Sequence, residues 1–216
     1  MIVCLEGPTG AGKSSLAPVL AKEWEGGFRI CPTVDHFAGC FPVALSVKDL
    51  TMSFRCFLRA EIAAALSMSK GTNWIQDRNW ISQLTYLDAM ETVCSVETRA
   101  LMEELLECLA NGHIALPHAL IFMDCPPALT HRRRQQRGSS PWGDVPQWIA
   151  PSLKKRFREV RYRTYKVLAE QVFVGSIIVR DLARLESGSI PSDLRTPPPT
   201  LDQQSTLERI TEWIQK

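Results

Sequence analysis

Residues 7–14 read Gly7-Pro8-Thr9-Gly10-Ala11-Gly12-Lys13-Ser14 and match G-x-x-x-x-G-K-[ST] at every fixed position. Glycines let the backbone curl so that several N–H groups point inward at a polyphosphate. Lys13 adds a mobile positive charge for the outer phosphates, and Ser14 adds a hydroxyl for Mg²⁺. The flanks agree with this reading. Ile2-Val3-Cys4-Leu5 is a short apolar run of strand character, and from Ser15 onward Leu16, Val19, Leu20 and Trp24 fall near helical spacing. Strand, glycine loop and helix together aim a helix N-terminus at an anion. Gly7, Pro8, Thr9, Gly10, Ala11, Gly12, Lys13, Ser14 and Ser15 are therefore the candidate nucleotide-phosphate site.

The rest of the chain bounds the answer. Its 216 residues suit one domain, and an apolar fraction of 45% supplies a globular core. A net charge of +2 is too small to argue for nucleic acid or an anionic membrane as partner. The first apolar run ends at Glu6, so no signal-peptide core is expected, and no stretch approaches the ~18 apolar residues of a membrane span. Seven cysteines, scattered and never in C-x-x-C spacing, read as free thiols of a cytoplasmic protein rather than a disulfide frame or zinc site.

Strand and helix candidates alternate beyond the loop. Phe28 to Cys31 reads as a second strand, 47–68 as a long helix, and Asn73 to Gln76 as a third strand that runs into Asp77-Arg78. Residues 82–109 are helical, 119–123 form the clearest buried strand, and a helix from Ala128 runs into an arginine cluster. Residues 153–171 form a basic amphipathic helix, Ser176 to Val179 a last strand, and Leu207 to Ile214 a closing helix. Pro191, Pro197, Pro198 and Pro199 mark about 187–204 as an exposed loop. Alternation of this kind implies an α/β fold with a parallel sheet between helices and ligands at the carboxyl ends of the strands.

Several side chains fit phosphoryl chemistry. Asp77, at a strand end, can hold the Mg²⁺ shell or accept a proton, and Arg78 beside it can bridge phosphates and stabilise a transferring phosphoryl group. Asp124 is the rival acid at the end of the 119–123 strand, either a metal ligand or a cap of the next helix. Arg133, Arg134 and Arg137 lie close on one helix before the Gly/Ser/Pro-rich 138–151 stretch, as a lid over ATP phosphates would (about 131–150). On the acceptor side, Arg59, with Arg55 one turn before it, can clamp a phosphate. Asp35, beside His36, can serve as base towards a hydroxyl, and Phe37, Phe41, Phe54 and Trp80 are candidate stacking rings or core. None of Asn73, Asn79 and Asn111 is followed by Lys, so the guanine-reading Asn-Lys-x-Asp of GTPase switches is missing.

The ordered set resembles the thymidylate kinase and deoxynucleoside kinase group of P-loop kinases. The matching pieces are Gly7 to Ser14, Phe57-Leu58-Arg59-Ala60-Glu61, Asp77-Arg78-Asn79-Trp80-Ile81-Ser82, Met123 to Leu129, and Arg132 to Gly138. Arg156 to Arg161 with Tyr165 also looks like the family's helix after the lid. The resemblance implies a P-loop NTPase fold, with a five-stranded parallel sheet flanked by helices and a helical lid, in a single domain over 1–216. It also implies a Mg²⁺-ATP donor. Phosphate bridging falls on Arg78, acceptor-phosphate contact on Arg59, and lid function on Arg133, Arg134 and Arg137. A cytoplasmic kinase acting on a pyrimidine deoxynucleotide is expected. The alternatives are a deoxynucleoside kinase or other small-molecule phosphotransferase, and, in another class, a non-catalytic nucleotide-binding module. The family's homodimers make a second copy a candidate partner, with apolar residues between Met90 and Leu109 as the surface. Asn79 stands where the family usually has Tyr or Ser, and no Arg-Glu-Pro-Gly-Gly follows the second strand.

Overall fold

The computed structural model describes residues 1–32, 49–137, 145–146, 148–180 and 190–216, with the side chains of 134–137 outside that description. Its strands are β1 (Ile2–Glu6), β2 (Arg29–Ile30), β3 (Trp74–Asp77), β4 (Ala119–Met123) and β5 (Ile177–Val179). They form one sheet in the order β2-β3-β1-β4-β5, and every pairing is parallel. Seven α-helices flank it among the described residues: α1 (Lys13–Glu23), α2 (Leu50–Ser67), α3 (Trp80–Cys94), α4 (Arg99–Ala110), α5 (Pro127–Arg137), α6 (Pro151–Val167) and α7 (Gln203–Gln215). The alternating α/β reading and the five-stranded parallel sheet are thus realised.

Period-two alternation in the strands sorts side chains into two cores. Val3, Leu5, Ile75, Ala119, Ile121 and Met123 face α1, where they meet Leu16, Leu20 and Trp24. Cys4, Leu120 and Phe122 face the other way, into a larger core built with Phe54, Trp80, Leu84, Leu105, Phe157, Tyr165 and Phe173. Every residue of β4 is buried, as a central parallel strand covered on both faces requires. By the same alternation Glu6 and Gln76 share the face of Cys4, while Asp77 shares the face of Ile75 and α1.

Three expectations change. The proline-rich segment is only partly exposed in its described part. Leu194 and Leu201 are buried, the Trp24 indole N–H donates to the Leu194 carbonyl at 2.7 Å, and the Leu201 amide donates to the His118 carbonyl. Prolines exclude regular structure but not burial, and isolated apolar residues between them still leave water. The closing helix starts at Gln203, four residues before Leu207, because the Asp202 side chain caps it by accepting from the Ser205 amide at 3.3 Å. Met90, Leu101, Met102, Leu105 and Leu109 pack inside the larger core, so the apolar residues read as a dimer surface are internal. No described helix is long and apolar enough to cross a membrane. The six described cysteines are free thiols; Cys40 lies outside the described residues.

Candidate active site

The glycine loop leaves β1 at its carboxyl end and enters α1. Gly7 sits at φ 136°, and a Cβ there would lie 2.7 Å from the Met123 carbonyl oxygen of β4, so the close approach of loop and sheet requires glycine. Gly12, at φ 103°, turns the chain into the first residue of α1. Lys13 is buried, and its Nζ donates to the Gly7 and Pro8 carbonyls at 2.8 and 2.9 Å, closing the loop around its own charge. Burial, with Arg78 nearby, pushes its ammonium down to about 7 against the opposing pull of Asp77 and Glu6.

Two groups assigned to Mg²⁺ are brought together. The Ser14 hydroxyl at the start of α1 donates to Asp77 Oδ2 at the end of β3. A hydroxyl and a carboxylate beside a phosphate loop are the hard oxygen donors Mg²⁺ prefers, so the residues present fit that ion. Asp124, the rival acid, is engaged elsewhere. It accepts from the Tyr162 hydroxyl and lies 3.5 Å from Arg180 Nε, and its amide joins β4 to the Val179 carbonyl.

Arg78 follows Asp77 with φ 74°, in the left-handed region that costs a non-glycine residue about 1–3 kcal/mol. The turn sends its guanidinium back across the site. Nη2 donates to Thr9 Oγ1 of the loop at 3.0 Å, and Nη1 donates to Ser82 Oγ at 2.8 Å and the Tyr165 hydroxyl at 3.2 Å. Glu6, fully buried at the end of β1, anchors the same region. Its carboxylate accepts from the Asn79 amide at 2.9 Å, the Ser82 hydroxyl at 2.8 Å and the Gly7 amide at 3.3 Å. Asn79 then caps α3, its Oδ1 accepting from the Ile81 amide at 2.9 Å.

Arg133 of α5 is buried against the loop, with Nη1 3.5 Å from the Ala11 carbonyl and 3.7 Å from Cys125 Sγ. Among the predicted arginines it therefore reaches the phosphate loop. The side chains of Arg134 and Arg137, and all of Asp35, His36, Phe37 and Phe41, lie outside the described residues. Pro8, Thr9, Gly10 and Ala11 form the loop as expected, and Ser15 is exposed on the first turn of α1.

The acceptor-side expectations fare differently. Phe54 and Trp80 are packed in the larger core, where the Trp80 indole N–H donates to the Ala115 carbonyl. Their bulk is spent on folding rather than displayed as stacking faces. Arg59 is exposed on α2, and Arg55 pairs with Glu104 of α4 at 3.1 Å. At 100° per residue Arg59 projects some 200° away from Glu61, which is buried and feels the charge of Glu6. The structure thus brings Lys13, Ser14, Asp77, Arg78 and Arg133 together, while Arg59 is exposed on α2.

Sequence reasoning gave no role to Glu6, and it placed Arg161 only within a helix that resembles the family's helix after the lid. Arg161, on α6, donates to the Ser82 carbonyl at 3.2 Å, Thr85 Oγ1 at 3.4 Å and the Tyr165 hydroxyl at 3.4 Å, with its guanidinium over the rings of Tyr86 and Tyr165. A charged residue ending a buried strand was the signal for Glu6. An arginine at i−4 from the tyrosine of the same helix was the signal for Arg161.

No protein-family model and no curated protein matches the sequence. Among solved structures, the chain is similar to the deoxyadenosine kinase from M. mycoides with products dCMP and a flexible dCDP bound. The TM-score is 0.57 at 16% identity, covering 100% of this chain and 98% of that one. The same enzyme with bound dATP matches at TM-score 0.57 and 16% identity, over 100% of both chains. Thymidylate kinase from Candida albicans matches at TM-score 0.55 and 12% identity, over 87% of this chain and 88% of that one. The fold is that of the P-loop kinases. At such identities the likeness is one of architecture, and the chemistry has to be argued from the residues themselves.

Proposed function

We propose that the protein is an ATP-dependent phosphotransferase that moves the γ-phosphoryl group of Mg²⁺-ATP to a nucleoside monophosphate, with a pyrimidine deoxynucleotide as acceptor. The observation that carries this reading is Arg78, whose guanidinium spans from Thr9 on the phosphate loop to Ser82 and Tyr165. A fixed cation at the mouth of a phosphate cradle stabilises charge on a group leaving one phosphate for another oxygen. Simple nucleotide binding does not call for it. Ser14 and Asp77 would hold Mg²⁺, which when bound neutralises charge on the donor phosphates. Lys13 follows the outer phosphates, and Arg133 shields the loop from water on the α5 side.

A second reading, a deoxynucleoside kinase with Asp35 as base, draws support from the full-length likeness to deoxyadenosine kinase. ATP turnover against thymidine, deoxycytidine and their monophosphates separates the two. Arg78→Ala is expected to lower kcat about 10²–10³-fold, the usual loss on removing one preorganised charge-stabilising donor. Full turnover by Lys13→Ala on the best acceptor would defeat both readings.

A further inference from the structure

Resting on the phosphotransferase reading, we propose that Glu61 is a positioning residue for phosphoryl transfer: as a neutral acid it leaves Glu6 free to hold the Arg78 turn, and its ionisation loosens that hold. Phe54, Phe57, Leu58 and Glu61 stand at i, i+3, i+4 and i+7 on α2, one continuous buried helix face. The first three enter the larger core, and Glu61 is the acid in an otherwise apolar stripe. The sheet turns Cys4, Glu6 and Gln76 towards that same core, with Cys4 in register with Gln76. Glu61 Oε1 and Gln76 Oε1 are both buried, and neither has a hydrogen-bond partner among the described residues. Both are acceptors, so what this face lacks is a donor. A proton on Glu61 supplies one, whereas a carboxylate would supply none and would add charge to a dry site.

Glu6 makes that charge matter. Its carboxylate accepts from the Gly7 and Asn79 amides and the Ser82 hydroxyl, and Ser82 accepts from Arg78. The left-handed turn at Arg78 depends on this hold. Two ionised carboxyls on one buried face repel each other, because little water screens them. Burial first, and then the Glu6 charge, accordingly push the Glu61 carboxyl up to about 8. The other groups around α2 do not offset the repulsion. Burial pushes the thiols of Cys4 on β1 and Cys31 after β2 upwards, so they stay neutral. Glu104 of α4 pairs with Arg55 on another side of α2, and on α3 Asp88 and Glu91 meet Thr164 and Thr98. Lys13, Asp77 and Arg78 act on one another and on Glu6. When Glu61 gives its proton to solvent, the new repulsion is relieved by moving Glu6 or α2, and a shift of Glu6 slackens the Arg78 turn.

The test measures kcat of the full chain from about pH 6.5 to 9.5 for wild type, Glu61→Gln and Glu61→Asp. Mg²⁺-ATP is saturating, and the acceptor is whichever of thymidine, deoxycytidine and their monophosphates turns over fastest. Lys13 is common to all three proteins, so its own titration cancels from their ratios. The kcat ratio of Glu61→Gln to wild type is expected to rise about threefold or more across that range, since the amide cannot ionise. Glu61→Asp still can, and should lose activity towards high pH as wild type does. The KM for Mg²⁺-ATP should stay within about twofold of wild type at each pH, as expected of a residue that acts through Arg78 and not on the donor. A second measurement needs no acceptor. The infrared difference between wild type and Glu61→Gln should show the C=O stretch of a protonated carboxyl at the acid end of the range and lose it at the alkaline end. Parallel pH profiles for wild type and Glu61→Gln, or absence of that band, overturn the proposal and leave the phosphotransferase reading in place. If none of the four acceptors turns over, that reading fails and takes the positioning role with it.

Discussion

Glu61 is 3% exposed on α2, and its Oε1 has no hydrogen-bond partner among the described residues. Burial first, and then the negative charge of Glu6, pushes its carboxyl up to about 8 from an ordinary 4.5. Between those values the folded protein keeps a proton that the unfolded chain has released, so stability falls as pH rises through the window. Lys13 has the opposite sign. Its ammonium is pushed down to about 7, so its contribution to the slope begins only above that pH. The nearby thiols do not compete, because burial pushes Cys31 up to about 11 and Cys4 well above its usual range. Urea unfolding of wild type and Glu61→Gln at pH 5, 6 and 7 isolates the residue, since other titrating groups are common to both. The advantage of wild type over the variant is expected to shrink by up to about 1.4 kcal/mol per pH unit. A constant difference across the three pH values would show that Glu61 titrates normally. The sequence shows an ordinary amphipathic helix here, and the unusual carboxyl exists only because α2 turns that face onto the sheet beside Glu6.

The carboxyl end of β1, the phosphate loop and the start of α3 are joined through one side chain. Glu6 accepts from the amides of Gly7 and Asn79 and from the Ser82 hydroxyl, and Ser82 in turn accepts from Arg78. The strained turn at Arg78 is thus clamped on both sides. Glu6→Ala would leave the Gly7 and Asn79 amides buried without that acceptor, at about 1–3 kcal/mol for each unsatisfied group, while the Ser82 hydroxyl keeps Arg78 and Tyr165. A loss of about 3 kcal/mol or more in urea unfolding is expected, with Glu6→Gln recovering part of it because its amide oxygen still accepts. The same pair of variants should lower kcat more than they raise the KM for ATP, because Arg78 loses its fixed position while the loop keeps its glycines. A stability change with no change in kcat would reduce Glu6 to packing. This junction was half legible. The glycine signature and the Asp77-Arg78 step declare themselves locally, through fixed spacing in a few adjacent residues. Glu6 acts through residues more than seventy positions away, and only parallel pairing of β1 with β3 brings them into reach. The same distinction explains Arg59 and Arg161. Both lie on amphipathic helices, and which helix turns an arginine towards the loop is decided by packing, not by helical period.

At the scale of the molecule, the strand order places β1 and its loop at the centre, with β3 on one side and β4 on the other. Asp77 and Asp124 therefore emerge at the same sheet edge with different partners, one on Ser14 and the other on Tyr162 and Arg180. Two cores pack on opposite faces of the sheet. A ligand that binds there would be expected to brace both layers. A ligand that binds only the folded state stabilises it by RT ln(1 + [L]/Kd), about 2.7 kcal/mol at a hundredfold excess over Kd. For a chain of this size that corresponds to a rise in Tm of about 5–10 °C. Mg²⁺-ATP is expected to produce such a rise in wild type, and Lys13→Ala to lose most of it. An acceptor that binds beside the loop rather than in it should keep its own shift in Lys13→Ala. A thermal-shift series with ATP, acceptor and both together measures this directly. If Lys13→Ala abolished both shifts equally, donor and acceptor would share one subsite.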